Sequence, residues 1–252
     1  MIPEQQASEV YGLIGFPLAN TFSKDYFTAK FKSYGLTHRY LNFELAEINS
    51  VVNLPNQYPN LRGLNVTKPY KESILPYLNS LSIGAAACGA VNCIEISDAT
   101  NWVGHNTDII GFQNSFLPFI GSNRNQKAIV FGNGGAARAV CYVLEQIQME
   151  YVHVCRAPSG KQISYAQLSK EELSKHKIWI NTTSLGMFPM EDKCVPISFE
   201  ALGSDHFCYD LIYLPQKTKF LQEAEIRGAH IKNGLEMLHL QADEAFRIWM
   251  KK

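Results

Sequence analysis

The sequence has no excess of positive or negative charge. Its 252 residues contain 23 Lys and Arg and 23 Asp and Glu, so the formal net charge is zero. Binding to nucleic acid requires a surplus of lysine and arginine that neutralises phosphates, so this balance argues against a nucleic-acid partner. Disorder is excluded as well, because 46% of the residues are hydrophobic and only 18% are charged.

Long apolar runs are also missing. No stretch approaches the roughly 18 uninterrupted apolar residues that a membrane span needs. The N-terminal sequence MIPEQQASEVYGLIGF begins polar and acidic, whereas a signal peptide begins with a basic segment followed by an apolar one. We therefore expect a cytoplasmic protein with no membrane partner.

Spacings typical of metal sites do not occur. The six cysteines are scattered, with no CxxC pair and no Cys/His cluster, at Cys88, Cys93, Cys141, Cys155, Cys194 and Cys208. Structural zinc sites use closely spaced ligands, so we expect no metal. Without a secretion signal the cysteines should be reduced and mostly buried.

No internal repeat or low-complexity segment is present, and short β-branched runs alternate with segments of helical period. This alternation predicts an α/β fold. The predicted strands are residues 10–16, 38–45, 61–66, 91–96, 102–103, 127–131, 151–155, 178–182 and 207–212. The predicted helices are residues 24–33, 71–79, 109–119, a segment from residue 136 onward and a closing segment over 235–249. A domain boundary is expected near residues 100–110, and the pattern leaves open on which side the closing helix packs.

A glycine-rich turn lies between a predicted strand and a predicted helix. The segment Gly132-Asn133-Gly134-Gly135-Ala136-Ala137 fits the pattern GxGxxA. In such a turn the first glycine permits the tight bend, the second lets the backbone approach a pyrophosphate, and the small last residue lets helix and strand pack closely. The helix N-terminus then offers N–H groups to the phosphates. The segment predicts a dinucleotide site.

The next strand carries the signal for the type of dinucleotide. An NAD site usually has Asp or Glu at the end of this strand, where it binds the ribose 2′-hydroxyl. Here the strand ends in Arg156, with Lys161 soon after. A guanidinium suits a 2′-phosphate through paired hydrogen bonds, so NADP is favoured over NAD. Arginine can also stack on adenine without contacting the phosphate, and NAD remains the alternative.

Polar residues occur at turns along the first hundred residues, where α/β proteins place their sites. Several stretches there and downstream resemble, in the same order, the motifs of the shikimate dehydrogenase family. They are Gly63–Lys71 (GLNVTKPYK), Gly89–Asn92 (GAVN), Asn106–Gly111 (NTDIIG), Gly132–Arg138 (GNGGAAR), Asn181–Met187 (NTTSLGM), Asp210–Pro215 (DLIYLP), Gly234–Leu238 (GLEML) and Gln241–Ala242. The resemblance covers essentially the whole chain.

The resemblance implies a two-domain α/β fold. Residues 1–105, completed by the C-terminal helix at 236–252, would form a substrate-binding domain. Residues 106–235 would form a Rossmann-like NADP-binding domain. The implied reaction is the reversible NADPH-dependent reduction of 3-dehydroshikimate to shikimate in aromatic amino-acid biosynthesis.

Two residues carry the catalytic expectation through this resemblance, Lys71 and Asp108. Hydride delivery to a ketone builds negative charge on oxygen, and a positioned ammonium can stabilise that charge and donate the proton. A nearby carboxylate would orient the ammonium. Lys68 is expected to be solvated.

The remaining site residues follow from the resemblance in the same way. Those expected to bind substrate are Thr21, Ser23, Thr67, Lys71, Asn92, Asp108, Tyr213 and Gln241. Those expected to bind cofactor are Gly132, Asn133, Gly134, Gly135, Ala136, Arg156, Leu211 and Gly234. Met187 lies in a family motif and reads equally well as a core methionine.

The sequence departs from the family pattern at two loops. The family's H-S-x-S-P is here Asn20–Lys24 (NTFSK), which keeps both hydroxyls, the first of them as threonine. The family's N-R-T is here Cys155–Ala157 (CRA), which keeps the arginine. Two alternatives stay open. One is a quinate/shikimate dehydrogenase that uses NAD or both cofactors. The other is a non-catalytic nucleotide-binding regulator, although its expected signature, loss of Lys71 or Asp108, is absent. The expected partner is a small-molecule substrate, and the chain could be a monomer or a homodimer.

Overall fold

The computed structural model describes residues 8–18 and 22–251. The chain divides into two units. The N-terminal unit contains the described residues up to Thr107 together with those from Ala242 onward, and the central unit is Asp108–Gln241.

The N-terminal unit contains a six-stranded mixed sheet. Its strands are β1 (Val10–Gly15), β2 (Arg39–Glu44), β3 (Leu61–Val66), β4 (Ser80–Leu81), β5 (Cys93–Asp98) and β6 (Asn101–His105), in the order β2-β1-β3-β5-β6-β4. Its helices are α1 (Phe22–Ser33), α2 (Leu54–Gln57) and α3 (Ile83–Cys88), with 3₁₀ turns at Ile48–Asn53 and Leu75–Tyr77. Strands β1, β2 and β3 are parallel, while β5 is antiparallel to both β3 and β6.

Strand β1 is covered on both faces. All six of its residues are buried, as expected for a central strand in a largely parallel region. Successive side chains alternate between faces. Val10 and Ile14 pack in one apolar cluster, whereas Tyr11 and Leu13 pack in another with residues of α1 and the C-terminal helix.

The prediction of a helix over residues 71–79 is wrong. The segment forms successive turns and a single 3₁₀ turn at Leu75–Tyr77. The Lys71 carbonyl accepts from the backbone N–H of Val91 at 2.8 Å instead of from a residue one helical turn on. Pro76 also lacks the N–H that a helix would need at that position.

The central unit contains a six-stranded sheet in which every pair is parallel. Its strands are β7 (Ala128–Phe131), β8 (Tyr151–Cys155), β9 (Ile163–Ser164), β10 (Ile178–Asn181), β11 (Phe207–Asp210) and β12 (His230–Lys232), in the order β9-β8-β7-β10-β11-β12. Counted from β7, this order is 3-2-1-4-5-6, that of a Rossmann sheet. Its helices are α4 (Asp108–Ile120), α5 (Gly135–Gln146), α6 (Lys170–Lys175) and α7 (Lys219–Ile226), with 3₁₀ turns at Asn123–Asn125 and Tyr165–Gln167.

The C-terminal helix α8 (Leu235–Trp249) begins in the central unit and ends in the N-terminal unit. Ala242, Phe246 and Trp249 are buried in the cluster that also contains Tyr11 and Phe27. The sequence pattern had left this packing open.

The predicted α/β architecture is confirmed. The strands predicted at 61–66 and 151–155 match the observed strands residue for residue. Several other predicted strands differ from the observed ones by one or two residues at an end. All six cysteines are free, five of them buried and Cys194 half-buried, as predicted. No helix within the described residues is both long and apolar enough to cross a membrane.

Candidate active site

One edge of the N-terminal sheet carries four of the predicted substrate residues. Strands β1, β3 and β6 end at this edge, and the antiparallel strand β5 begins there. Ser23 lies in α1 after β1, Thr67 and Lys71 follow β3, and Asn92 directly precedes β5. Sheet assembly therefore brings to one edge three segments that are far apart in sequence. Thr21, the other hydroxyl expected in this group, lies outside the described residues.

Asn92 is held in a fixed orientation. It is buried, and its Oδ1 accepts from the Thr107 backbone N–H at 2.7 Å and from the Thr107 Oγ1 at 3.2 Å. Its backbone N–H also donates to the His105 carbonyl at 3.0 Å. Since both of these bonds to the side chain use the oxygen, the amide cannot flip without losing them.

A buried hydrogen-bond chain reaches this edge from β2. The Tyr40 hydroxyl donates to Asn65 Oδ1 at 2.7 Å, and Asn65 Nδ2 donates to the Asn92 carbonyl at 3.3 Å. Burial raises the pKa of Tyr40 well above its ordinary value, and a hydrogen bond from Ser23 partly offsets this. Tyr40 thus connects Ser23 to Asn92, a role that no motif signalled because Tyr40 reads as one more apolar strand residue.

The loop after β3 is anchored by one backbone and one side-chain hydrogen bond. The Thr67 N–H donates to the Ile14 carbonyl at 3.0 Å, and the Tyr70 hydroxyl donates to the Leu45 carbonyl at 2.5 Å. Lys71 is half-buried beside this turn. The exposed Lys68 has a lowered pKa, because its surroundings desolvate the ammonium and the positive charge of Lys71 adds to this effect.

In the central unit, the glycine turn lies at the point where the strand order reverses, between β7 and β10. Open α/β sheets bind ligands at this point, beyond the carboxyl ends of the strands. Gly132 has φ +108°, a conformation that favours glycine, and a β-carbon there would lie 2.6 Å from Thr182 Oγ1. The turn therefore requires glycine for both conformation and space.

The turn has the properties that a bound pyrophosphate needs. A β-carbon on Gly134 would meet no atom within 4 Å, so its backbone borders open space. Gly134 is also the N-cap of α5 and has no side chain to occupy the helix N-terminus. The helix end thus presents its N–H groups and positive dipole to that space, which fits a dinucleotide phosphate. Ala137 is fully buried, as close packing of the helix requires.

Arg156 is exposed in the loop that follows β8. This loop is closed by Gln162, whose Oε1 accepts from the Ser159 backbone N–H at 3.1 Å and from Cys155 Sγ at 3.3 Å. The sequence interpretation did not include Gln162.

Leu211 and Gly234, both expected near the nicotinamide, lie against each other. A β-carbon on Gly234 would collide with the Leu211 carbonyl, and the Gly234 N–H donates to the Ile212 carbonyl at 3.1 Å. The loops that carry them extend from the carboxyl ends of β11 and β12. Tyr213, in the same segment as Leu211, is exposed.

The buried carboxylate of Asp210 holds the loop after β11 in place by hydrogen bonds. Asp210 Oδ1 accepts from Asn181 Nδ2 at 3.1 Å and from the Ile212 N–H at 3.0 Å, and Oδ2 accepts from Thr218 Oγ1 at 2.6 Å. Burial raises the pKa of Asp210 to about 6, and the three hydrogen bonds limit the shift.

Asp108 and Gln241 lie at opposite ends of the central unit's sequence on packed helices. Asp108 is the buried first residue of α4, where the helix dipole favours negative charge. One turn later, a β-carbon on Gly111 would lie 2.9 Å from the Gln241 Cβ and 2.8 Å from the Met237 carbonyl. The helices α4 and α8 therefore cross closely at Gly111, three residues after Asp108.

Comparison with known proteins identifies relatives over nearly the whole chain. Residues 13–94 match the family model described as "Shikimate dehydrogenase substrate binding domain". Shikimate dehydrogenase (NADP(+)) of Carboxydothermus hydrogenoformans is 35% identical over 261 residues, which cover 96% of this chain and 91% of the relative.

Solved structures of similar proteins share the fold. Shikimate dehydrogenase from Aquifex aeolicus superposes with a TM-score of 0.87 at 30% identity, covering 100% of this chain and 95% of that one. Shikimate 5-dehydrogenase from Thermus thermophilus, in complex with NADP(H) and shikimate, gives a TM-score of 0.85 at 27% identity, covering 97% and 94%.

Proposed function

The chain belongs to the shikimate dehydrogenase family, and we propose that it catalyses the reversible NADPH-dependent reduction of 3-dehydroshikimate to shikimate in aromatic amino-acid biosynthesis. The observation that carries the proposal is the arrangement of polar side chains at one edge of the N-terminal sheet, with Lys71 among them. A Rossmann sheet with an open glycine turn supports the use of a dinucleotide.

The substrate is a polyol with a carboxylate, so it needs several fixed hydrogen-bonding groups. Ser23, Thr67 and Asn92 supply hydroxyl and amide groups that are held by backbone and buried contacts. Asp108, Tyr213 and Gln241 complete the proposed set, together with Thr21. A site of this kind rejects substrates that lack a hydroxyl, because its own polar groups would be left unpaired.

Bound NADPH supplies the hydride that adds to the ketone carbon. The ammonium of Lys71 stabilises the negative charge that develops on the ketone oxygen and donates the proton to it. Asp108 is the second proposed catalytic residue, and its carboxylate accepts a hydrogen bond from a substrate hydroxyl. In the oxidative direction Lys71 takes up the proton that it gave.

The turn Gly132–Ala136 would hold the cofactor, with Arg156 at the 2′-phosphate and Leu211 and Gly234 at the nicotinamide. A guanidinium binds a dianionic phosphate through charge-assisted hydrogen bonds, and an unphosphorylated ribose offers no phosphate for such bonds. This difference is the basis for the proposed preference for NADP over NAD. A cytoplasmic location and a monomeric or homodimeric state stay predictions.

An absorbance assay of the nicotinamide tests the proposal with four pairs of reactants, shikimate or quinate with NADP or NAD. The proposal expects the highest kcat/KM for shikimate with NADP. Faster turnover of quinate, or of either substrate with NAD, would replace it with the quinate/shikimate alternative. Absence of turnover with all four pairs would favour a non-catalytic nucleotide-binding protein.

The variant Lys71→Ala tests the catalytic assignment. Loss of a general acid lowers kcat by about 10²–10⁴-fold, and the KM for shikimate should change far less. The neighbouring Lys68→Ala is the control for loss of a positive charge in the same loop. Equal effects of the two substitutions on kcat would refute the role of Lys71.

A further inference from the structure

We propose that His153 and Gln162, here called the nucleotide brace, position the glycine turn and the Arg156 loop for NADPH. The inference rests on the proposed function, because it concerns the cofactor of that reaction. Neither residue belongs to the glycine motif or to the expected cofactor contacts. Both are half-buried in the central unit, His153 in β8 and Gln162 just before β9.

Strand β8 holds the glycine turn through both backbone polar groups of Gly132, its N–H and its carbonyl. The Gly132 N–H donates to the Val154 carbonyl at 2.9 Å, and the Gly132 carbonyl lies 2.5 Å from His153 Nε2. A carbonyl can only accept, so the imidazole donates this bond from Nε2. Strand register places His153 beside Val130, two residues before Gly132, which lets the ring reach the turn.

The bond to the carbonyl has a consequence for the next amide. The Gly132 carbonyl and the Asn133 N–H belong to one planar trans peptide and point in opposite directions. A carbonyl held toward His153 therefore turns the Asn133 N–H away from His153. Backbone N–H groups of such turns are the donors to a bound pyrophosphate. His153 thus sets the direction of a phosphate-binding donor without contacting the phosphate.

The other ring nitrogen connects the turn to the Arg156 loop. With the proton on Nε2, His153 Nδ1 is an acceptor, and Gln162 Nε2 lies 3.4 Å from it. Cys141 Sγ lies 3.7 Å from the same nitrogen. Gln162 uses its Oε1 to hold the Ser159 N–H and Cys155 Sγ, on the two sides of the loop that carries Arg156. One pair of side chains therefore fixes both ends of the proposed adenosine-pyrophosphate site.

The test is the dissociation constant of NADPH, measured without substrate from the fluorescence of the bound nicotinamide. His153→Leu should raise the Kd for NADPH about three- to tenfold, which is the loss expected for one neutral hydrogen bond. His153→Gln, which can still donate to the Gly132 carbonyl, should restore most of the affinity. In turnover, the KM for NADPH should rise by more than kcat falls.

Gln162→Ala and Gln167→Ala form a matched pair for the second half of the brace. Gln167 caps the next turn through its Oε1, which accepts from the Ser164 N–H at 2.8 Å and from Ser164 Oγ at 2.9 Å. Gln162→Ala should raise the Kd for NADPH by more than it raises the Kd for NADH, because the role proposed for Arg156 is to bind the 2′-phosphate, which NADH lacks. Gln167→Ala should leave both constants within about twofold of the wild type.

Two results would overturn the brace. One is a folded His153→Leu variant, with a lower melting temperature but an unchanged Kd for NADPH. If that variant does not fold, equal constants for Gln162→Ala and Gln167→Ala decide against the brace. A wild-type protein that binds NADPH but turns over neither shikimate nor quinate refutes the proposed function instead, and the binding comparison of the variants remains valid.

Discussion

Gly111 lies directly against Gln241, so that a β-carbon on Gly111 would come within 2.9 Å of the Gln241 Cβ and 3.0 Å of its backbone N. In an open helix position, alanine in place of glycine would stabilise the helix by about 0.5–1 kcal/mol. Here the collision involves backbone atoms of α8, which cannot rotate away. The steric cost therefore outweighs the gain in helix propensity.

We predict that Gly111→Ala lowers the free energy of unfolding by about 1–3 kcal/mol, the usual cost of overpacking. It should also raise the KM for shikimate, because α8 carries Gln241. Urea denaturation and steady-state kinetics measure the two effects. Asn114→Ala, on the exposed side of the same helix, is the control and should not destabilise the protein. A Gly111→Ala protein of wild-type stability would show that the helices separate without cost.

Gly132 and Gly134 should respond to alanine in opposite ways. Gly134 has φ −77°, and its β-carbon would enter open space, so Gly134→Ala should cost less than about 1 kcal/mol in unfolding free energy. The added methyl occupies the space next to the pyrophosphate, so the Kd for NADPH should rise at least about tenfold. Gly132→Ala should instead destabilise the fold by about 1–3 kcal/mol. Unchanged NADPH binding by Gly134→Ala would place the pyrophosphate elsewhere.

Arg156→Ala tests the preference for the phosphorylated cofactor. Loss of a charge-assisted hydrogen bond costs about 1.5–3 kcal/mol, so the Kd for NADPH should rise about 10- to 100-fold. The Kd for NADH should stay within about twofold, since its ribose carries no phosphate. Lys161→Ala, which removes a nearby positive charge, is the comparison. An unchanged ratio of the two constants in Arg156→Ala would contradict the assignment.

Thr107→Val removes one of the two donors to Asn92 while keeping the side-chain shape. The backbone N–H of residue 107 still donates, so the Asn92 side-chain amide should keep one of these two hydrogen bonds and become more mobile. We expect the free energy of unfolding to fall by about 0.5–1.5 kcal/mol. The KM for shikimate should rise by the corresponding factor, about two- to tenfold. Thr100→Val removes a hydroxyl that donates to Asp98 at 2.7 Å at the other end of the same hairpin. The Thr100 variant should keep the wild-type KM. If both variants shift it equally, the Thr107 bond has no specific effect on the site.

Asp210 should make stability fall as pH rises through its raised pKa. Its pKa is about 6 in the fold against 3.8 for the ordinary group, so between these values the folded protein keeps a proton that the unfolded chain has lost. This contribution is complete below pH 3.8 and disappears as pH rises to about 6, at a cost of about 3 kcal/mol.

Asp210→Asn isolates this contribution, because it shares every other titrating group with the wild type. Urea denaturation from pH 4 to 7 should show the wild type losing stability relative to the variant as pH rises. A stability difference independent of pH would mean that Asp210 has the same proton affinity in the folded and unfolded chain.

The sequence predicted those parts of the fold that depend on local patterns. The strand Leu61–Val66 is bounded by turns and buried, and the helix after Gly134 has apolar residues at helical spacing. The helix expected over 71–79 failed because the Lys71 carbonyl pairs with Val91, a contact set by sheet assembly. The edge strands β9 and β12 were missed because they contain only two and three residues.

The candidate site shows the same limit. Motifs identified the loops, but not the residues that hold them. His153 and Tyr40 occupy single positions in strands, and their contacts depend on which strand lies alongside. Strand register is a long-range property that a single sequence does not display.

The shared helix α8 also has a consequence for how the chain is made. Gly63 packs against Trp249, and the Trp249 indole donates to the Ile94 carbonyl at 3.0 Å. The core of the N-terminal unit is therefore completed by residues that are synthesised after the whole central unit. Until then the nascent chain exposes the aromatic face formed by Tyr11, Phe27 and Phe31. We therefore expect the central unit, Asp108–Gln241, to complete its fold before the N-terminal unit does.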